Sequence, residues 1–199
     1  MIQIIDDILP TQVFKTLQQK IVDNPTFPIY YTSNTVCDGN NDEYSFFHQV
    51  YDSSYKSFLF PYLEMCLLAI SDKMRIEYKE IIRIRIGLIT NIGKSNIHKA
   101  HIDYDFCDYY TGLLYLNNSD GETFVYNETY NHESNLNSFD YIERVLNNNL
   151  TVQQRIKPQE NKFVLMDGNL YHSSSNPTIV PARYVINFNF RLKDKINIQ

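Results

Sequence analysis

The spacing of apolar residues changes partway along this chain. Val13, Phe14, Leu17, Ile21 and Val22 recur at helical intervals, so a helix is expected after Ile8-Leu9-Pro10, with Thr11 as its N-cap. Asn24-Pro25 ends it, because a residue before proline avoids the helical region. Residues 32–41 are polar and read as a loop. A second helical region is expected over 43–73, interrupted near Pro61. Its first apolar stripe is Phe46, Phe47, Val50, Tyr51, Tyr55 and Phe58, and its second is Leu63, Cys66, Leu67 and Ile70.

From Glu77 onward, alternation replaces the helical period. Ile82-Arg83-Ile84-Arg85-Ile86 places apolar and cationic residues on opposite faces, the pattern of a strand with one buried face. Strands are expected at 112–116 and 123–126. Those expected at 152–156 and 162–166 flank the turn-rich Lys157-Pro158-Gln159-Glu160-Asn161, which predicts a hairpin. Asp167-Gly168 is a tight turn just before His172. A final strand over 183–192 sets Asn187 and Asn189 on one face and Phe188 and Phe190 on the other. Residues 127–149 are polar and Asn-rich, with a short helix at 138–146, and read as an excursion over the mouth of a site. Helices followed by many short strands predict a mainly β, α+β fold, an antiparallel double-sheet sandwich buttressed by N-terminal helices. One domain is expected over 1–199, with 1–76 as the helical buttress and 77–199 as the β core.

Composition narrows the functional classes. The 199 residues are 43% hydrophobic and 21% charged, as in an ordinary soluble protein. A net charge of -5 without a basic block disfavours nucleic acid as a partner. The N-terminus lacks the basic and apolar segments of a signal peptide, and the apolar run at 58–70 is broken by Pro61 and Glu64, so no membrane partner is expected. Cys37, Cys66 and Cys107 form no CxxC pair, which fits a reducing cytoplasm, and Cys107 reads as a small space-filling thiol.

The candidate chemistry starts at His101-Ile102-Asp103. On a strand, residues two apart share a face, so an imidazole and a carboxylate address one point. His172, after its turn, can supply a third ligand. Two histidines and one carboxylate with open positions suit non-haem Fe(II), and the alternative on spacing alone is two unrelated surface histidines. Arg183, shortly after His172, can clamp a carboxylate bidentately. Residues 93–100 read as a loop that makes His98 a residue near the metal or the substrate, or an ordinary exposed histidine. His48 and His132 read as structural or solvated.

The runs His101-Ile102-Asp103, Gly112-Leu113-Leu114-Tyr115-Leu116-Asn117 and Gly121-Glu122-Thr123 resemble those of the Fe(II)/2-oxoglutarate-dependent dioxygenases, with the prolyl 4-hydroxylase-like branch nearest. Asp167-Gly168-Asn169-Leu170-Tyr171-His172 and Arg183-Tyr184-Val185-Ile186-Asn187-Phe188 are similar to the same branch, and the likeness spans residues 82–192. It implies a double-stranded β-helix, or jelly-roll, core. It implies catalytic iron held by His101, Asp103 and His172, with Arg183 on the distal carboxylate of 2-oxoglutarate. Tyr115 stands where a tyrosine often bonds that carboxylate, and Thr123 reads as a strand-filling residue. Asn91 stands near the place of another family tyrosine. Fe(II), 2-oxoglutarate and O₂ are the implied cofactors, with ascorbate in support and succinate and CO₂ as co-products. Retention of Asp103 favours hydroxylation over the halogenation run by relatives that lack the carboxylate.

The leading expectation is hydroxylation of an unactivated C–H bond of a peptidyl residue such as proline. The alternatives are a small-molecule hydroxylase of the same family, a non-catalytic metal-containing jelly-roll binding module and, against the acidic balance, nucleic-acid demethylation.

Overall fold

The computed structural model describes residues 1–33 and 44–194. The elements in chain order are β1 (Ile2–Ile5), α1 (Thr11–Ile21), β2 (Tyr30–Thr32), β3 (Ser45–Asp52), β4 (Tyr55–Lys56), α2 (Phe60–Met74), β5 (Tyr78–Thr90) and β6 (Tyr110–Tyr115). There follow β7 (Thr123–Thr129), α3 (Ser138–Arg144), β8 (Val152–Ile156), β9 (Phe163–Asp167), β10 (Leu170–Ser174) and β11 (Ala182–Leu192). The large sheet runs β1-β9-β6-β11-β5-β3-β2, with β4 on β3, and the small sheet runs β10-β7-β8. Every strand pairing is antiparallel. This is the expected mainly β double-sheet architecture, a jelly roll with helices on its outer face.

Alternation along the large sheet sorts side chains into two layers. Ile84, Ile86, Leu114, Phe163, Leu165, Ile186, Phe188 and Phe190 point outward into a core shared with Phe14, Leu17 and Ile21 of α1 and Leu63, Leu67 and Ile70 of α2. Leu113, Tyr115, Val164 and Met166 point inward, against Val125 of β7 and Leu170 of β10. The outer face of the small sheet is closed by the 127–149 excursion, where Ile142 of α3 packs with Phe124, Tyr126 and Tyr171.

Several expectations need correction. Residues 45–52 form β3, not a helix. Phe46, Phe47, Val50 and Tyr51 mimic a helical period because a bulge between Gln49 and Tyr51 breaks the alternation on β5. Phe58, assigned to the same stripe, is exposed. Pro61 lies in the first turn of α2 instead of interrupting a helix, where its missing N–H costs nothing. Helix α1 begins at Thr11 with Pro10 in the cap position and no side-chain cap. Strands β8 and β9 form no hairpin, since β8 pairs with β7 and β9 with β6 and β1. The connection between them is a crossover. Asn161 within it (φ 59°) clamps the entry to α1 by accepting from Leu9 N at 3.0 Å and donating to Leu9 O at 2.8 Å. Cys66 is buried, and burial pushes its thiol up to about 12. Cys107 is exposed and fills no core space. Cys37 and most of the polar segment at 32–41 lie outside the described residues. The first 76 residues also supply strands β1 to β4. Among the described residues no helix is long and apolar enough to cross a membrane.

Candidate active site

The Asp167-Gly168 turn carries the chain from the large sheet into the small one, and so delivers His172 opposite His101. Asn169 N donates to Asp167 Oδ1 at 3.0 Å, closing the turn. His101 is not on a regular strand. An isolated bridge holds it, with His101 N to His172 O and His172 N to His101 O both 2.9 Å. Among the described residues, His101, Asp103 and His172 bring one ligand atom each to within 4.8 Å of one another. The two rings lie 4.7 Å apart by centroid.

The chemistry of this donor set fits a divalent metal. His101 Nδ1 lies 3.2 Å from Lys99 O, and His172 Nδ1 lies 3.1 Å from Leu170 O. A carbonyl only accepts, so each Nδ1 carries the proton and each Nε2 keeps its lone pair for an ion. Burial, and then the neighbouring His172, push His101 down to about 4, which keeps it neutral at pH 7. Asp103 accepts from Arg83 Nη2 at 2.6 Å, Asn189 Nδ2 at 2.8 Å and Thr111 Oγ1 at 3.0 Å. Burial would raise its carboxyl, but the Arg83 guanidinium and the two imidazoles outweigh burial and hold it well below the usual range. Asp103 therefore stays ionised and fixed in rotamer.

Arg183 is 2% exposed on β11. Its Nη2 donates to Thr123 Oγ1 at 2.6 Å, while Nε and Nη1 have no partner. A buried guanidinium with two unanswered donor nitrogens is costly, and a carboxylate is the group that satisfies it bidentately. Tyr115 is fully buried. Its hydroxyl donates to Thr123 Oγ1 at 2.7 Å, and its ring lies 5.5 Å from the Arg183 guanidinium carbon. Thr123 lines the cavity beside Arg183 and Tyr115 stands behind it, so the hydroxyl presented to the cavity is that of Thr123.

These groups share one cavity of about 460 Å³. His101, Asp103 and His172 stand in its wall together with Thr123 and Arg183, and Ser138 and Phe139 of α3 also border it. Asn137 caps α3 by accepting from Phe139 N and Asp140 N, which sets that helix against the opening. His98 is buried, not exposed. Its Nε2 lies 2.9 Å from Asn176 Oδ1 and its Nδ1 lies 3.0 Å from Ser174 Oγ, beside the cavity and not in its wall. His48 is buried on β3 against Pro28 O, and His132 bonds Asp105 O and Asn169 Oδ1. Asn91 turns away, donating to Thr178 O at 2.9 Å, and Ile89 takes the cavity-facing place on that stretch.

The arginines of β5 were misplaced by the sequence pattern. The face opposite Ile84 and Ile86 looks into the cavity instead of solvent, so Arg83 and Arg85 line it. Asn187 and Asn189 form a second polar row on the neighbouring strand, but alternation alone does not say whether such a row faces a cavity or solvent.

No protein-family model matches the chain, and no curated protein matches its sequence. Solved structures do match its fold. A prolyl hydroxylase from Trichoplax adhaerens, in complex with a hypoxia inducible factor oxygen degradation domain peptide fragment, aligns at a TM-score of 0.62 with 14% identity, covering 96% of this chain and 83% of that one. A Pseudomonas putida prolyl-4-hydroxylase aligns at 0.59 with 13% identity, covering 97% and 93%. The non-haem alpha-ketoglutarate-dependent epimerase SnoN from nogalamycin biosynthesis aligns at 0.63 with 10% identity, covering 96% and 78%. The fold of this chain is therefore the one shared by 2-oxoglutarate and Fe(II) oxygenases of differing substrates.

Proposed function

We propose that this chain is an Fe(II)- and 2-oxoglutarate-dependent oxygenase that hydroxylates an unactivated C–H bond, with a peptidyl residue such as proline as its leading substrate. The observation that carries the reading is the pairing, in one cavity, of two lone-pair-bearing Nε2 atoms and an ionised carboxylate with a buried arginine that lacks an anion. The likeness in fold to two prolyl hydroxylases, one solved with a peptide, supports the substrate class.

His101, Asp103 and His172 would hold the iron on one face. Iron and 2-oxoglutarate, when bound, supply the activation of O₂ and the cleavage of the C–H bond. The protein supplies position. The carbonyls of Lys99 and Leu170 hold the imidazole tautomers, and Arg83, Asn189 and Thr111 hold the carboxylate. Arg183 and Thr123 would receive the far carboxylate of the co-substrate, which fixes how deep it sits. Ser138 and Phe139 narrow the opening and limit water.

The test is succinate release from 2-oxoglutarate under air. The reading expects release that needs Fe(II), stops with a chelator and is absent in Asp103→Ala. Folded protein that forms no succinate with any peptide or small molecule offered, or an Asp103→Ala protein that still turns over, would contradict it.

A further inference from the structure

Arg85 is a cation in search of an anion, and it stands at the other end of the cavity from Arg183. The two strands that carry them are paired in register, with Arg85 opposite Asn187. Asn187 is four residues along β11 from Arg183, a separation of about 13 Å at the rise of a strand. Arg85 is the next inward residue after Arg83, which grips Asp103, so it flanks the metal ligands. The co-substrate carboxylate belongs at the distant Arg183 end. Arg85 is therefore free of that duty.

Its surroundings hold a charge without placing a carboxylate in direct contact with it among the described residues. Arg85 Nε donates to Gln49 Oε1 at 3.2 Å, and Gln49 Nε2 is itself anchored on Tyr51 O at 2.6 Å. The guanidinium lies 4.7 Å from the Phe47 ring, which fixes its plane. Both neighbours hold the group in place, and among the described residues its terminal nitrogens have no hydrogen-bond partner. Among the described residues no carboxylate lies within ion-pair distance of it. Among the described residues two carboxylates line the cavity against three guanidiniums, and Asp103, one of the two, is already bonded to Arg83. Burial and the adjacent Arg83 push Arg85 down to about 10, more than the opposing pull of Asp103 and Asp52 offsets, so it stays charged at neutral pH at a cost that an incoming anion would relieve. Beyond Arg85, Gly87 keeps the wall low, since a Cβ there would stand 3.3 Å from Phe47 and 3.5 Å from Val185.

We infer that the substrate carries a carboxylate, and that Arg85 anchors it beside the metal centre so that a neighbouring C–H bond faces the iron. This rests on the oxygenase reading above and adds the substrate's charge to it. The carboxylate can belong to a free small acid or to an acidic group of a peptide, which recognise Arg85 by the same bidentate chemistry.

The experiment is anaerobic calorimetry on protein loaded with Fe(II) and 2-oxoglutarate. The probes are L-proline, L-pipecolate and L-leucine with their amides, and Pro-Glu and Pro-Asp peptides with their Gln and Asn counterparts. The visible charge-transfer band of the loaded protein is read first, and its absence defeats the oxygenase reading itself. With the band present, acids are expected to bind at least tenfold more tightly than their neutral counterparts. The two probe sets tell a small acid from a peptide. Arg85→Gln should erase that preference, and Arg85→Lys should restore part of it. Neutral probes that bind as well as acids, a panel in which no acid binds, or an Arg85→Gln protein with the preference intact would each overturn the inference.

Discussion

At the scale of single residues, function shows itself as unmet bonding capacity. Arg183 has two buried donor nitrogens without acceptors, and the Nε2 atoms of His101 and His172 are left bare by the carbonyls that claim Nδ1. Arg183→Ala should raise the KM for 2-oxoglutarate by the loss of a buried charge-assisted pair, on the order of 2–5 kcal/mol. A KM unchanged in steady-state succinate assays would place the carboxylate elsewhere. Arg83→Gln should weaken Fe(II) binding about 10–100-fold, because Asp103 would lose the partner that orients it. Metal titration by calorimetry measures this, and an unaltered affinity would reduce Arg83 to a bystander. That His101, Asp103, His172 and Arg183 could meet at one place was legible in the sequence, because a His-x-Asp pair, a later histidine and a following arginine need only chain order to be noticed, and the four do line one cavity. Arg83, Thr111 and Asn189 were not, because alternation says which residues share a face and not what that face looks upon.

At the scale of elements, strand β6 shows how tightly side chains of neighbouring strands fill the outer face of the large sheet. A Cβ on Gly112 would lie 2.6 Å from the Phe163 ring, so Gly112→Val should destabilise the fold by about 1–3 kcal/mol, read from urea unfolding. A variant of unchanged stability would mean that Phe163 has room to move. Elements with a long enough regular stretch were legible: α1, β5, β6, β7 and β11 lie close to where the pattern places them, even where a bulge skips Ile82 on β5. Strand β3 was not, since its bulge shifts the alternation by one residue and leaves Phe46, Phe47, Val50 and Tyr51 at helical intervals. The crossover before β9 was read as a hairpin because turn residues announce a change of direction without naming the strand that receives it. Strand β1 is four residues long and pairs with β9 at the sheet edge, too short a run to show a period.

At the scale of the whole molecule, the two sheets are joined by loops whose polar contacts set the site's frame. Asp120 accepts from Thr178, Ile179 and Val180 on the segment that leads into β11 and Arg183. Burial would raise its carboxyl, but the Thr178 hydroxyl and the backbone N–H groups prevail and hold it low. A depressed folded value means that Asp120 stabilises fully above the unfolded carboxylate range near roughly pH 3.9, and that this is lost as pH falls through the folded value. Wild type should therefore melt above Asp120→Ala at pH 6, with the gap closing below about pH 4. A gap that persists in acid would show that the ionised carboxyl is not what holds the loop.

The central claim is that the triad and Arg183 bind iron and 2-oxoglutarate together in one cavity. It is tested most directly by anaerobic titration of the metal-free protein with Fe(II) and 2-oxoglutarate, followed in the visible. A charge-transfer band that requires both components, and that needs far more 2-oxoglutarate in Arg183→Ala, is the expected result. Folded protein that shows no band, or a band indifferent to Arg183, would contradict the account.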